Sequence, residues 1–270
     1  MPHLRVAEVA VHYRETGRGA PVVLLHGGGS SGAQWKRVCD LLADRYRMIT
    51  VDHYGHGGTD RWKGPQTART HDAEAALVSE VIAHIGEPAH VVGHSYGGGV
   101  ALRLALADPG KLRSLVLVEP QVLSILKHGG ESGLFSDYRE FAMSFIRDAN
   151  AGDSEGAWAR FLEGNGAPVP WQNLTPEVRS RFLAMTDSLI SAWYANVNHD
   201  TTPDQCRSLN IPATLLRGET TRQIYRRITE LLSEVLPLAH LQVLPGAGHM
   251  SPLTHPEAVA NALAAHLHRN

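Results

Sequence analysis

The chain has 270 residues, of which 43% are hydrophobic and 19% charged, so it can bury one sizeable core together with a small subdomain. Its formal net charge of −2 provides no basic field, which disfavours a nucleic-acid partner. The N-terminus lacks the charged start and apolar stretch of a signal peptide, and no apolar run reaches the length of a membrane span, so we expect a cytoplasmic protein with no membrane partner.

The first elements in chain order alternate between strands and helices. Residues 9–13 alternate apolar and polar side chains, which predicts an antiparallel edge hairpin that turns back at residues 16–19. Residues 21–25 form an apolar run, which predicts a short buried strand leading into the glycine-rich segment 26–31. The next elements are a helix at 33–42, a strand at 48–51 and a helix over 77–85 that ends at Gly86. This order indicates a parallel sheet covered on both faces.

Residues 93–97, Gly-His-Ser-Tyr-Gly, lie between an apolar run and a helix rich in small residues that we expect at 96–107. A serine on a tight strand-to-helix turn has an exposed hydroxyl, and the backbone N–H that follows points at whatever the hydroxyl attacks. The flanking glycines lack Cβ atoms, which lets the strand and the helix approach closely. The pattern alone also occurs in turns with a solvated serine, so the strand–turn–helix context gives Ser95 its weight.

The second half of the chain interrupts and then resumes the alternation. A strand at 115–118 ends at Glu119, and residues 121–207 look mostly helical. Strands resume at 213–216 and 241–244, and the latter leads into a glycine-containing loop that carries His249. The final helix begins near residues 254–257, which have capping-box spacing.

Three loops thus carry signals in a fixed order, and this order resembles the α/β-hydrolase superfamily, in which serine, acid and histidine follow one another along the chain. The likeness covers nearly the whole chain. It implies an α/β fold with a mostly parallel, eight-stranded, doubly wound sheet. The core would comprise residues 1–120 and 208–270, and residues 121–207 would form a helical cap, inserted after the sixth strand and folded over the site. A helical layer packed elsewhere on the core is the alternative for that segment.

The chemistry needs a base for Ser95, because a serine hydroxyl is a poor nucleophile at neutral pH, and His249 is the best candidate. Attack on a carbonyl places negative charge on oxygen, so two backbone N–H groups should point there. One is the N–H of Tyr96, and the resemblance assigns the other to Gly28. A phosphate cradle is the alternative for the loop around Gly28, but the loop lacks the ending of a P-loop and the spacing of a dinucleotide fingerprint. We expect His26 to be a structural hydrogen-bonding residue beneath this loop.

The acid that orients His249 has two candidates. Family members usually supply it after the seventh strand, where this chain has Thr221, whose hydroxyl cannot supply the charge. Glu119, at the end of the sixth strand, resembles the arrangement in some haloalkane dehalogenases, and Glu219 lies two residues before the usual position. We prefer Glu119, because the carboxyl ends of parallel strands converge on the site.

A metal or cofactor finds little support in the sequence. Asp52 opens a glycine-rich turn that also resembles a family signature, and we expect its carboxylate to accept backbone N–H groups there. His53 and His56 have no third ligand at a useful spacing. Cys39 and Cys206 are too few for a disulfide framework and lie outside metal-ligand spacing, so we expect packing residues. We therefore expect neither a metal nor a cofactor.

A serine rather than an aspartate at position 95 disfavours haloalkane dehalogenase and epoxide hydrolase chemistry, which require a carboxylate nucleophile. The sequence therefore predicts a serine hydrolase that cleaves a small carboxylic ester or lactone through an acyl-serine intermediate. Carbon–carbon bond hydrolysis of a diketone, amide cleavage and a small-molecule receptor with little turnover remain alternatives. The substrate pocket is expected to be apolar, with Trp193 as a candidate wall residue, although aromatic residues at helical spacing are more often core.

Overall fold

The computed structural model describes residues 3–270 and centres on one sheet of eight strands. Beyond the hairpin formed by the first two, the strands from the third to the eighth run parallel. In chain order they are β1 (His3–Val6), β2 (Val9–Thr16), β3 (Ala20–Leu25), β4 (Tyr46–Val51), β5 (Ala89–His94), β6 (Leu112–Val118), β7 (Ala213–Gly218) and β8 (Ala239–Leu244). Their spatial order is β1-β2-β4-β3-β5-β6-β7-β8. The mostly parallel, eight-stranded α/β fold is confirmed.

The hairpin prediction at the N-terminal end of the sheet is wrong in its pairing. The hairpin joins β1 to β2, and the other edge of β2 pairs antiparallel with β4. Residues 16–19 therefore lead from β2 to β3, which is not a neighbour of β2 in the sheet. The reason is burial: residues 22–25 of β3 are inaccessible to solvent, and a strand buried on both faces belongs inside a sheet. A Cβ on Gly17, whose φ is +82°, would lie 2.4 Å from the carbonyl oxygen of Tyr46, so this connection passes close to the start of β4.

Twelve α-helices flank the sheet or connect its strands within residues 3–270. They are α1 (Lys36–Leu42), α2 (His71–Ile85), α3 (Tyr96–Ala107), α4 (Ser124–His128), α5 (Ser132–Asn150), α6 (Ser154–Gly164), α7 (Pro176–Ala184), α8 (Thr186–Asn198), α9 (Pro203–Arg207), α10 (Gln223–Val235), α11 (Ser251–Thr254) and α12 (Pro256–Arg269). Gly86 ends α2 in a left-handed conformation, as predicted. The bounds predicted for α3 are also confirmed.

Side chains alternate across each strand, so the sheet has two apolar layers. Val22 and Leu24 pack with α1 and α12 on one face. Val23 and Leu25 belong to the larger cluster on the other face, which includes α2, α3 and α10. The final helix buries its stripe of Val259, Leu263 and Leu267, but His255 precedes it without a side-chain cap, and the capping box expected at residues 254–257 does not form. The hydroxyl of Thr254 instead bonds the carbonyl of Met250 one turn earlier.

Helices α4 to α9 lie between β6 and β7 and share the larger apolar cluster with the sheet. Aromatic side chains join them, for example the edge-on contact between Trp158 and Phe145. The division into residues 1–120, 121–207 and 208–270 stays a prediction, and the first two residues lie outside the described part of the chain. Cys39 and Cys206 are buried free thiols. No helix of the described part is long and apolar enough to cross a membrane.

Candidate active site

Ser95 lies in the tight turn between β5 and α3, with φ +54° and ψ −119°. A positive φ at a residue with a side chain costs about 1–3 kcal/mol and persists only where the surroundings hold it. The backbone N–H of Ser95 donates to Val118 (3.0 Å), and its carbonyl accepts the N–H of Gln121 (2.9 Å). Both partners lie at the end of β6, so the neighbouring strand fixes the strained turn.

The glycines on either side of Ser95 are required by close backbone approach. A Cβ on Gly93 would lie 2.3 Å from the carbonyl oxygen of Gly97. A Cβ on Gly97 would lie 2.6 Å from the carbonyl oxygens of Leu25 and His26. The end of β5, the turn at Ser95 and the end of β3 therefore pack so closely that a side chain at position 93 or 97 would not fit.

Ser95, His249 and Glu119 form a continuous chain of hydrogen-bond contacts. The Nε2 atom of His249 lies 3.1 Å from Oγ of Ser95, and Nδ1 lies 2.7 Å from Oε2 of Glu119. Because an ionised carboxylate only accepts, Nδ1 of His249 is the nitrogen that donates to Glu119. In the neutral form of the ring, Nε2 can then accept from the serine hydroxyl. All three residues are buried. Loops that are 154 and 130 residues apart in sequence thus meet at one point.

Three groups bond the carboxylate of Glu119, and a fourth bonds its backbone N–H. Besides His249, the N–H of Gly218 donates to Oε1 (2.7 Å) and the hydroxyl of Thr221 donates to Oε2 (2.7 Å). Burial raises the pKa of Glu119, but the hydrogen bonds from His249, Gly218 and Thr221 and the charge of His249 outweigh it and hold the pKa below its ordinary value. The N–H of Glu119 donates to Leu216 (2.9 Å), and its φ is +43°. The carboxylate is therefore fixed and ionised.

The structure brings Glu119, and not Glu219, to His249. Glu219 is exposed and accepts the N–H of Gly246 (2.8 Å) on the outer side of the loop. Thr221 was missed as a site residue, because its hydroxyl was weighed only as a replacement for a carboxylate. The signal was present in the sequence as a threonine after β7 together with a glutamate after β6.

Two further residues beneath Ser95 escaped sequence reasoning. Gln34 accepts the N–H of Gly27 (3.2 Å) and donates to Nδ1 of His94 (3.0 Å), and Nε2 of His94 donates to the carbonyl of His249 (2.8 Å). Burial, assisted by the nearby His249, lowers the pKa of His94 to about 3, so its imidazole is neutral and this tautomer satisfies every partner. The loop around Gly28 and the loop of His249 are thereby joined.

Tyr225 of α10 stacks on the imidazole of His249, with ring centroids 3.7 Å apart and planes 10° from parallel. Its hydroxyl donates to Oδ1 of Asn165 (2.6 Å). The stacked ring covers one face of the imidazole and limits its rotation out of the plane in which Nδ1 and Nε2 form their hydrogen bonds. No local motif marks Tyr225, so sequence reasoning did not select it.

The two predicted N–H donors lie beside Ser95. Gly28 and Tyr96 both line the cavity that contains Ser95, and a Cβ on Gly28 would lie 3.8 Å from Cβ of Tyr96. Tyr96 is the first residue of α3, where backbone N–H groups have no partner within the helix and the helix dipole is positive. This end of the cavity is suited to developing negative charge.

The polar residues below the Gly28 loop connect backbone segments. Nε2 of His26 accepts the N–H of His53 (3.1 Å), and burial with two neighbouring histidines lowers the pKa of His26 well below its usual value. His26 is fully buried, which suits a structural role. Asp52 accepts the N–H groups of Gly32 (2.7 Å) and Gly58 (3.0 Å), as its turn predicts. Over residues 3–270, no group of three or more potential ligands is arranged to hold a metal ion.

A cavity of about 240 Å³ opens from Ser95 between the sheet and helices α6 to α8. Its walls are mainly apolar and include Phe161, Leu174, Phe182 and Leu189. Trp193 lines it as well and also packs edge-on against Phe161, so it serves the core and the cavity wall together. The segment predicted as a cap thus supplies one side of the cavity.

We call the tight turn between β5 and α3, which carries Ser95, the elbow. A serine at this elbow, facing a histidine from the loop after β8, is the arrangement that defines the class of α/β-hydrolase folds. The model of the alpha/beta hydrolase family matches residues 22–262, and the chain belongs to this family.

Two relatives that match nearly the whole chain are hydrolases by name. It is 30% identical to a pimeloyl-[acyl-carrier protein] methyl ester esterase of Chromobacterium violaceum, over 93% of this chain and 95% of the relative. It is 24% identical to 2-hydroxy-6-oxo-6-(2'-aminophenyl)hexa-2,4-dienoic acid hydrolase of Metapseudomonas resinovorans, over 97% of this chain and 88% of the relative. Among solved structures, an esterase from Exiguobacterium antarcticum superposes with a TM-score of 0.81 at 20% identity and covers 97% of both chains. This last likeness shows the fold.

Proposed function

We propose that the protein hydrolyses small carboxylic esters or lactones through an acyl-Ser95 intermediate. The observation that supports this most is the unbroken chain from Ser95 through His249 to Glu119, with contacts of 3.1 and 2.7 Å. The name of the Chromobacterium violaceum relative, a methyl ester esterase, favours ester cleavage over the other acyl transfers.

In the acylation step, Oγ of Ser95 attacks the ester carbonyl carbon while its proton passes to Nε2 of His249. The carbonyl oxygen becomes an oxyanion, for which the N–H groups of Gly28 and Tyr96 are the proposed donors. Glu119 stabilises the imidazolium that forms at His249. The carbon–oxygen bond then breaks, and the departing alkoxide takes the proton from His249 and leaves as the alcohol.

Deacylation repeats these steps with water. His249 removes a proton from a water molecule, whose oxygen attacks the acyl carbon of acyl-Ser95. The second oxyanion collapses, the bond to Oγ breaks, and Ser95 recovers its proton from His249. The products are one alcohol and one carboxylic acid, and no cofactor takes part in the proposed cycle.

Steady-state hydrolysis of p-nitrophenyl butyrate tests the proposal. We expect Ser95→Ala to lower kcat by about 10⁶-fold, as removal of the nucleophile does in other serine hydrolases. Ser233→Ala is the matched control, since that hydroxyl only bonds the carbonyl of Glu230 one turn earlier on α10. Wild-type rates in Ser95→Ala would contradict the mechanism.

The likeness to the dienoic acid hydrolase favours carbon–carbon bond hydrolysis of a diketone as the second candidate function. Cleavage of a diketone, with no turnover of any ester, would favour it over the first proposal. A receptor with little turnover is the remaining alternative, and it would leave Ser95 unreactive towards a fluorophosphonate probe.

A further inference from the structure

The cavity beside Ser95 contains no formal charge along its described walls. Residues from the Gly28 loop, the elbow, helices α6 to α8 and the His249 loop line it, and none of these is Asp, Glu, Lys or Arg. The one carboxylate close to the reacting atoms is Glu119, which lies behind His249 and is inaccessible to solvent. A bound molecule therefore meets no cation in the wall.

The amide side chains in the wall already donate to the protein. Asn196 donates to Gln121 (2.5 Å), and Gln121 donates to the hydroxyl of Tyr138. Asn165 donates to the carbonyl of Phe161 (2.7 Å), and Gln34 donates to His94. These bonds stabilise the wall itself and use one N–H of each amide. The donors that remain, such as Nε1 of Trp193, which is buried and has no partner among the described residues, are neutral and cannot balance the charge of an anion.

Two guanidinium groups near this region are also committed elsewhere. Arg222 donates to the carbonyl of Gly164 (2.8 Å), and Arg179 donates to the carbonyl of Gln172 (2.7 Å). Neither side chain lines the cavity. Arg222 is thus held at the last residue of α6 and Arg179 at Gln172, so neither guanidinium brings positive charge to the cavity wall.

The mouth of the cavity is apolar as well. Val169 and Leu253 line the cavity and are 42% and 43% exposed, so they form part of its outer rim. Val169 lies in the connection after α6 and Leu253 lies in α11, so two segments that are distant in sequence form the rim. An apolar group entering from solvent would thus meet apolar surface at the rim and again inside.

We propose that this cavity selects neutral acyl groups and rejects esters whose acyl chain ends in a carboxylate. The inference rests on the proposed esterase function and names the substrate class of that same site. Burial of a carboxylate without a cation is strongly unfavourable even where neutral donors are present, whereas a methyl group of similar size gains from burial. Among acyl chains of one length, charge then decides the rate.

Three p-nitrophenyl esters of one chain length test the inference: hexanoate, the monoester of adipic acid, and the same adipate capped as its methyl ester. At pH 7.5 we expect kcat/KM for the free acid to be about 100-fold below that for hexanoate, and the neutral methyl ester to recover most of the loss. A hexanoate-to-adipate ratio under ten would overturn the inference while leaving the esterase proposal intact. No turnover of any of the three would overturn the esterase proposal and the inference with it.

A variant that introduces a positive charge separates the effect of charge from that of shape. Val178 is half-buried in α7 and lines the cavity, so Val178→Arg should bring a cation to the wall with its stem over apolar surface. We expect this variant to raise kcat/KM for the adipate monoester by about tenfold relative to hexanoate. Val178→Met, which adds a long uncharged chain, should retain the wild-type preference. An unchanged ratio in a folded Val178→Arg protein, judged by its circular dichroism spectrum, would contradict charge as the cause.

Discussion

At the scale of single residues, Glu119 is the unusual member of the site. It follows β6, adopts a positive φ and accepts hydrogen bonds from Gly218, Thr221 and His249. The position that usually carries the acid in this family holds Thr221, whose hydroxyl donates to the carboxylate of Glu119. Positions 119 and 221 are therefore in direct contact.

Kinetics of Glu119→Gln and Glu219→Gln, measured side by side, test which carboxylate acts. We expect Glu119→Gln to lower kcat by about 10⁴-fold, because the amide no longer fixes the tautomer and charge of His249. Glu219→Gln should stay within about threefold of the wild type, since Glu219 is an exposed residue bonded to Gly246. Equal, small losses in both variants would remove Glu119 from the mechanism.

Thr221 provides a second prediction. Thr221→Val removes one donor to a charged carboxylate, a contact worth about 1.5–3 kcal/mol, so kcat should fall by roughly tenfold or more. Thr221→Asp in the Glu119→Gln background should restore part of the lost activity, because it returns a carboxylate to the neighbourhood of His249. Thr221→Asp alone serves as the control and should impair the enzyme through repulsion from Glu119. No recovery in the double variant would contradict the close spacing of positions 119 and 221.

Local sequence pattern identifies those site residues that lie in a recognisable loop or at the end of a strand. Ser95 and His249 each lie in a glycine-containing loop after an apolar run, and Glu119 ends a strand. Thr221 and Tyr225 have no such signature. The contact of Thr221 with Glu119 joins residues 102 positions apart, and Tyr225 stacks on the ring of His249. Both contacts arise only when the sheet and its helices are packed.

At the scale of elements, the elbow depends on the approach of α3 to β3 and β5. The bounds of α3, Tyr96–Ala107, follow from local composition, because small residues begin it and Pro109 lies beyond its end. The strand order does not follow from local pattern. A β-strand's neighbours are decided by which faces the whole sheet must bury, so the pairing of β2 with β4 required the structure.

Gly97→Ala tests the close approach at the elbow. Its Cβ would lie 2.6 Å from backbone carbonyl oxygens of Leu25 and His26, which cannot move as a side chain could. We expect a loss of about 1–3 kcal/mol in the free energy of unfolding, measured by urea denaturation. Gly133→Ala is the matched control, because Gly133 is also the second residue of a helix, α5, and has nothing within 4 Å of its Cβ position. Similar stability of the two variants would contradict the account of the elbow.

At the scale of the whole molecule, several histidines are neutral because they are buried or half-buried in the folded chain. Burial is the largest cause of a lowered pKa in each of them, and the value is about 4 for His56, His90, His199 and His266 and about 3 for His94. The pKa is also lowered, in the same direction, for His26 and His71. Their charged forms are therefore excluded from the folded state near neutral pH.

This burial predicts acid sensitivity. The unfolded chain binds protons at these histidines below about pH 6.5, whereas the folded chain does not until about pH 4, so the unfolded state is favoured as pH falls through that window. We expect the free energy of unfolding, measured by urea denaturation, to drop by at least about 3 kcal/mol between pH 7 and pH 5. His90→Gln should flatten the slope by close to one proton. A stability that is constant over this range would contradict the neutral, buried state of these rings.

The proposed mechanism requires Ser95 to be an activated nucleophile, and covalent labelling detects such a residue without any substrate. Treatment with a fluorophosphonate, followed by intact-mass analysis and peptide mapping, should give one adduct per chain, located on Ser95. In His249→Ala the labelling rate should fall by at least about 100-fold, because the hydroxyl loses its base. An unlabelled wild-type protein, or an adduct on any other serine, would contradict the proposed role of Ser95.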